Sequence, residues 1–293
     1  MSIAFVTGAT GFVGKHLTSR LIAEGWEVHT LIRPDSKIPK KIRFSNLTKH
    51  IYDGSTSRLT NSIKIANPDV VFHLASFSLY EHSSQDVNSL IQSNILLGTQ
   101  LLEAMHINNS SRLINTGTSW QHFNNNDYDP VCLYAATKQA FEMILQYYTN
   151  TNQIKAITLK LFDTYGPDDS RNKLLALLNR YSKSGDYLNM TEGMQMIDIV
   201  HIDDVVDAYM IAAQRLISNK VVKDESYAVS SGKPIMLREL VQLYTNITKR
   251  NININWGARP YRVKEVMYPW QTGQSLENWA PKVSLNIGLK NLD

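Results

Sequence analysis

Short apolar runs alternate with longer stretches of helical periodicity along the first half of the chain. Ile3–Thr7 is a brief apolar run ended by glycine, which predicts a buried strand. Gly14–Glu24 carries Leu17, Leu21 and Ile22 at helical spacing, and Gly25 stops it. Val28–Ile32 reads as a second strand, Lys49–Tyr52 as a candidate third, and Val70–Leu74 as another after a turn at Asn67-Pro68. Val87–Met105 reads as one long amphipathic helix, Arg112–Thr116 as a strand ended by Gly117, Tyr134–Tyr148 as a helix and Ala156–Phe162 as a strand. Strands separated by helices of this length need right-handed crossovers, so the fold class is α/β, a parallel sheet with helices on both faces.

Beyond Tyr165 the texture changes. Helical patterns at Lys173–Ser184, Val205–Ala213 and Leu237–Lys249 alternate with short strands, and a tail rich in Trp, Pro, Arg and Asn follows. This predicts one domain over residues 1–165, with return segments around 198–232, and a smaller substrate domain from 166–197 and 233–293. Ligands of such sheets bind beyond the carboxyl ends of the strands, where the two parts meet.

Composition narrows the function classes. The chain has 293 residues, a formal charge of +4 and 19% charged residues, too hydrophobic and too weakly charged for disorder. Its densest basic stretch, Lys37-Ile-Pro-Lys-Lys-Ile-Arg43, holds no aromatic, so a nucleic-acid groove is not expected. The single cysteine, Cys132, excludes an intrachain disulfide or a cysteine-based metal cluster, and His16, His73 and His122 share no metal-ligand spacing. No apolar run reaches the length of a membrane span, and no basic segment precedes Ile3, so a cytoplasmic protein is the expectation.

Chemistry enters at Thr7-Gly-Ala-Thr-Gly-Phe-Val-Gly14, between the first strand and first helix. Gly8 suits the tight turn, Gly11 lets backbone approach a pyrophosphate, and Gly14 lets helix pack on strand; Thr10, Phe12 and Val13 complete the loop. The second strand ends in Arg33, with Lys37 nearby, where an acidic residue would otherwise take the ribose of NAD. A cation there fits the 2′-phosphate of NADPH, while Asp35 just beyond keeps NAD(H) as the lesser alternative. Asp53-Gly54 is either an adenine contact or a plain turn.

Tyr134 and Lys138 stand one helical turn apart, and an ammonium beside a phenol lowers its pKa towards acid/base use. That spacing is common by chance in a chain with 14 tyrosines. Thr116-Gly-Thr-Ser119 at the preceding strand end strengthens it, because a hydroxyl there can share a substrate oxygen with Tyr134.

These residues carry a resemblance. The glycine loop, His73-Leu-Ala-Ser76, Asn94-Ile-Leu-Leu-Gly-Thr99, Thr118, Tyr134 with Lys138, Phe162 to Pro167 and Asp203-Asp-Val205 follow, in order, the pattern of an extended short-chain dehydrogenase/reductase of the nucleotide-sugar-modifying type. The resemblance covers nearly the whole chain. It implies a Rossmann-type sheet, Tyr134 as acid/base, Lys138 on the nicotinamide ribose and Thr118 orienting the substrate. It also implies that Leu74, Ala75, Ser76, Asn94, Thr116 and Phe162 border the cofactor. Members commonly form homodimers through a four-helix bundle, here matched by Val87–Met105 and Tyr134–Tyr148.

Within the family, 4,6-dehydratases carry an acidic pair directly after the catalytic Thr. This chain has Ser119-Trp120 there and no acidic residue from Arg112 to Asn126. It looks more like the C4-ketoreductases of deoxysugar pathways, the group of CDP-abequose, CDP-paratose and dTDP-fucose synthases. Ser119, Trp120, Asp163, Lys173, Gln195 and Arg262 then become candidate substrate contacts, with Arg262 as a buried guanidinium on the diphosphate. Its other reading is an ion pair with Glu265. Two positions depart from the relatives: Ile197 stands where an Arg is frequent, and Asp163 where an Asn is usual. Asp203-Asp204 reads as a helix cap. Rival readings are a C4 epimerase that retains NAD and, from another class, a non-catalytic dinucleotide sensor or scaffold.

Overall fold

The computed structural model describes residues 1–36, 47–151 and 154–292; the basic stretch from Lys37 to Arg43 lies outside them. The elements in chain order are β1 (Ile3–Thr7), α1 (Phe12–Ala23), β2 (Glu27–Ile32), β3 (Leu47–Ile51), α2 (Thr56–Ala66), β4 (Val70–His73), α3 (Val87–Ile91), α4 (Leu97–Ile107), β5 (Arg112–Thr118), α5 (Leu133–Thr151) and β6 (Lys155–Leu161). Then come β7 (Asp163–Tyr165), α6 (Leu174–Ser184), β8 (Tyr187–Asn189), β9 (Met196–Ile197), β10 (Ile199–His201), α7 (Ile202–Ile217), β11 (Asp224–Val229), β12 (Ile235–Met236), α8 (Leu237–Thr248), β13 (Asn253–Asn255) and α9 (Leu285–Lys290).

Seven strands pair in parallel in the order β3-β2-β1-β4-β5-β6-β11, the doubly wound arrangement expected from the alternating pattern. Both faces are covered, which is why β4 is buried throughout, Val70 to Phe72 forming a continuous apolar run rather than an alternating one. Pleating sends Val6 to one face, with Leu17, Leu21, Phe72, Val205 and Tyr209, and Phe5 to the other, with Leu59, Leu101 and Phe141. The strand order reverses between β1 and β4, opening a crevice at their carboxyl ends. A third core gathers Tyr165, Leu178, Leu188, Leu240 and Tyr244 among α6, α8 and the short strand pairs β7/β10, β8/β13 and β9/β12.

Three differences from the pattern have local causes. The helix expected over Val87–Met105 contains a π turn at Gln92–Leu96, between α3 and α4. That turn carries Asn94, whose side chain ties the loop after β4 to α5. Strand β5 runs through Gly117 to Thr118, because Gly117 keeps its pairing with Lys160 in β6. Helix α7 is capped by the His201 side chain, which accepts from Asp203 N. Asp203 and Asp204 fall in the first turn instead, where their charge suits the helix dipole. Among the described residues no helix is long and apolar enough to cross a membrane.

Candidate active site

At the β1/α1 turn, backbone touches backbone. Gly8 has φ +76°, and a Cβ on it would lie 2.6 Å from Ala75 N; one on Gly14 would lie 2.0 Å from Gly8 O. Gly11 N donates to Gly8 O at 2.9 Å, and Gly11 precedes the first turn of α1 with no side-chain cap. Thr10 is exposed at the tip of this loop, Phe12 is buried and Val13 half-buried. The helix start thus faces the crevice with its amide N–H groups free of side-chain acceptors, a setting for an anion. Below it Thr7 Oγ1 accepts from Ala75 N and lies 2.8 Å from His73 Nδ1, which fixes the turn after β4 where Leu74, Ala75 and Ser76 sit.

Thr118 ends β5, and Tyr134 and Lys138 lie on the first turns of α5. Thr118 Oγ1 accepts from Trp120 N at 3.3 Å, which leaves its O–H available to donate. Lys138 is 1% exposed and its Nζ has no hydrogen-bond partner. Burial pulls this ammonium down to about 8, with Glu142 opposing the shift. Tyr134 moves the other way: burial pushes the phenol up to about 12, while the Ser76 side chain and the charge of Arg171 act against it. Burial thus acts on the Tyr134 phenol against the lowering expected beside Lys138, and it outweighs the positive charge of Arg171.

An unpartnered buried ammonium beside a glycine cradle fits a dinucleotide whose ribose hydroxyls would meet Lys138 and whose pyrophosphate would meet the α1 turn. Arg33 is exposed just past β2, and its guanidinium has no partner among the described residues. Asp53 accepts from Ser55 N and Oγ at the start of α2, and Gly54 O accepts from Gln100 Nε2. Asn94 is different from its expected role. Its Oδ1 accepts from Ser76 Oγ and Phe77 N while its Nδ2 donates to Phe77 O and Thr137 Oγ1, so no capacity is left for a ligand. Thr116 pairs with Tyr209 OH at 2.6 Å, and the Phe162 ring lies parallel to Trp270.

A cavity of about 1300 Å³ opens between the sheet and the third core. Its walls include Ser119, Trp120, Asp163, Lys173, Gln195 and Arg262, six positions scattered over 144 residues of sequence. Tyr134 and Thr118 stand behind Trp120, whose indole meets the Tyr134 ring edge-on. Lys173 Nζ lies 4.9 Å above the Trp120 ring and 3.4 Å from Asp163 Oδ1, so the unusual Asp163 has its own counter-ion. Ile197 lies in β9, paired with Ile235. Gln195 Nε2 donates to Thr191 Oγ1. Arg262 is exposed rather than buried, since its segment lies at the rim; it stacks 3.8 Å over the Tyr80 ring and contacts Glu81 at 3.0 Å and Glu265 at 3.9 Å.

Two residues of this site carry no sequence signal. Tyr80 packs on Trp120, and its hydroxyl donates to Lys264 O across the cavity mouth. Arg171 sits 4.2 Å over the Phe12 ring and donates to Asp169 and Thr164 O, joining the cavity wall to the glycine loop. Both lie in irregular segments where periodicity says nothing.

A family profile described as "NAD dependent epimerase/dehydratase family" matches residues 4–225. The CDP-abequose synthase of Salmonella muenchen is 27% identical over 98% of this chain and 95% of that protein. The Yersinia pseudotuberculosis CDP-abequose synthase is 26% identical over 90% of each. The structure of Thermotoga maritima UDP-glucose 4-epimerase with UDP-glucose superposes with a TM-score of 0.83 at 22% identity, over 98% of this chain and 96% of that one, a likeness of fold.

Proposed function

The chain belongs to the NAD dependent epimerase/dehydratase family and is an enzyme of the NAD(P)-dependent oxidoreductase type; within that family we propose that it uses NADPH to reduce the C4 keto group of a CDP- or dTDP-linked 4-keto-6-deoxyhexose. The pair of residues directly after Thr118 carries this reading. Ser119 and Trp120 line the cavity where an acidic pair would serve dehydration, and no carboxylate side chain lies between Arg112 and Asn126. The CDP-abequose synthases, matched over nearly their full length, support it.

The chemistry then divides among few groups. The bound nicotinamide supplies the hydride. Tyr134 gives its proton to the C4 oxygen, a task suited to a phenol that stays protonated at neutral pH. The free O–H of Thr118 orients that oxygen. Lys138 holds the nicotinamide ribose and offers positive charge as Tyr134 loses its proton. Arg33 takes the 2′-phosphate. Lys173 and Arg262 are the cations for the diphosphate, released from Asp163 and Glu81 as the ligand enters.

The same reading assigns residues 1–165, with returns around 198–232, to the cofactor and 166–197 with 233–293 to the sugar nucleotide, in a cytoplasmic homodimer. Exposed Val87, Ile91 and Leu96 along α3 and the π turn, and Met143 and Tyr147 on α5, support a pairing of those helices.

The test tracks NADPH absorbance with CDP- and dTDP-4-keto-6-deoxyglucose as separate substrates, with NADH as control. Oxidation with one of them is expected, Tyr134→Phe losing about 10²-fold or more while retaining cofactor binding, and Arg33→Asp shifting preference towards NADH. Silence with both substrates, in protein purified with bound NAD, would instead favour C4 epimerisation, for which the wide cavity leaves a keto sugar room to turn.

A further inference from the structure

Behind Thr118 and Lys138 lies a buried polar network that the reaction as described leaves unused. Gln121 Oε1 accepts from Thr118 N at 3.0 Å, and Gln121 Nε2 donates to Glu142 Oε1 at 2.9 Å and to Gln139 Oε1 at 2.7 Å. Glu142 Oε2 lies 3.3 Å from Lys160 Nζ, which in turn sits 2.7 Å from His122 Nε2. His122 Nδ1 faces the carbonyl of Asn126 at 3.1 Å, so Nδ1 carries the proton and Nε2 accepts from the ammonium. Gly117 lies tightly against these layers: a Cβ there would lie 3.0 Å from both Glu142 Oε1 and Lys160 Cγ, so both side chains would have to give way.

The charge count in this region is uneven. Lys138 and Lys160 are two buried cations, and Glu142, one helical turn after Lys138, pairs with Lys160 while its charge also acts on Lys138. From β4, His73 also faces Lys138; burial holds His73 neutral, down at about 3. We propose that Glu142 is a positioning residue of this site: its single carboxylate serves as counter-charge to Lys138 and, through Gln121, anchors the strand end that carries Thr118. The proposal rests on the roles given above to Lys138 and Thr118.

Glu142→Gln tests it, since the amide oxygen can still accept from Gln121 while the charge is gone. In full-length protein labelled with [¹³C]lysine, the Lys138 signal, identified by its loss in Lys138→Arg, reports the titration directly. Glu142→Gln should lower its midpoint by about one pH unit or more, and Lys160→Met, which leaves Glu142 to Lys138 alone, should raise it. A midpoint unmoved in Glu142→Gln overturns the proposal, and if that variant does not fold, a midpoint unmoved in Lys160→Met does so. The basic limb of kcat/KM should shift in the same directions, which a merely structural glutamate would not produce. If the midpoints move but the wild type reduces no keto sugar, the network stands and the assigned reaction falls.

Discussion

The Trp120 indole meets the Tyr134 ring edge-on, with centroids 6.3 Å apart and an interplanar angle of 85°, while Tyr80 packs on the indole at 5.0 Å. The residue two positions after Thr118 is thus a wall between the cavity and the phenol. Trp120→Ala should raise KM for the sugar nucleotide about tenfold, through lost ring contacts and a mis-seated sugar, and leave KM for NADPH unchanged. Steady-state kinetics against each substrate separates the two. An unchanged sugar KM would remove Trp120 from the substrate site.

Lys138 pits function against stability. Its ammonium titrates at about 8 in the fold against an ordinary 10.5, so the unfolded chain binds more protons between those values. This group's contribution to stability therefore rises with pH from about 8 to 10.5. At pH 7, without dinucleotide, Lys138→Met should melt no lower than wild type, since a buried ammonium with no hydrogen-bond partner is removed, while turnover falls about 10²-fold or more. Thermal melts with and without NADPH check both, and NADPH should raise the wild-type midpoint more than the variant's.

Gly11 and Gly14 should respond differently to the same methyl group. A Cβ on Gly14 runs into Gly8 O at 2.0 Å, a backbone atom that cannot yield without dismantling the turn, whereas on Gly11 the nearest contact is 3.2 Å. Gly14→Ala is expected to cost roughly 3 kcal/mol or more, or to prevent soluble expression. Gly11→Ala should fold and lose mainly NADPH affinity. Urea melts and cofactor titration of the two variants distinguish these outcomes.

Acid should weaken the edge of the sheet. His50 in β3 is held at about 4, first by burial and then by His29, whose Nδ1 lies 2.8 Å from His50 Nε2. The unfolded chain binds more protons at His50 between about 4 and the ordinary 6.5, so the stability contributed by this group is lost as pH falls through that window. His50→Gln removes one titrating group and should make the decline in urea midpoint between about pH 6.5 and 4.5 shallower. An equally steep decline would place the acid sensitivity elsewhere.

The period of apolar residues and the glycine spacing determine the parallel sheet, the crevice at its carboxyl ends and the tight turn into α1, because each is local: a strand, a helix and a turn show in their own residues. Tyr134, Lys138 and Thr118 are legible for the same reason, two on one helix face and one at a strand end. Tertiary structure alone decided the rest. The role of Asn94, in the π turn, depends on Ser76, Phe77 and Thr137 meeting around it. Whether Lys138 lowers the Tyr134 phenol or burial raises it is a balance of surrounding charge and desolvation, and no spacing of two residues encodes the density of the protein around them. The exposure of Arg262, the ion pair of Asp163 with Lys173, and the line from Thr118 through Gln121 and Glu142 to Lys160 likewise join residues distant in the chain. Such contacts arise only when the sheet closes, since the free energy that holds them belongs to the packed interior rather than to any segment.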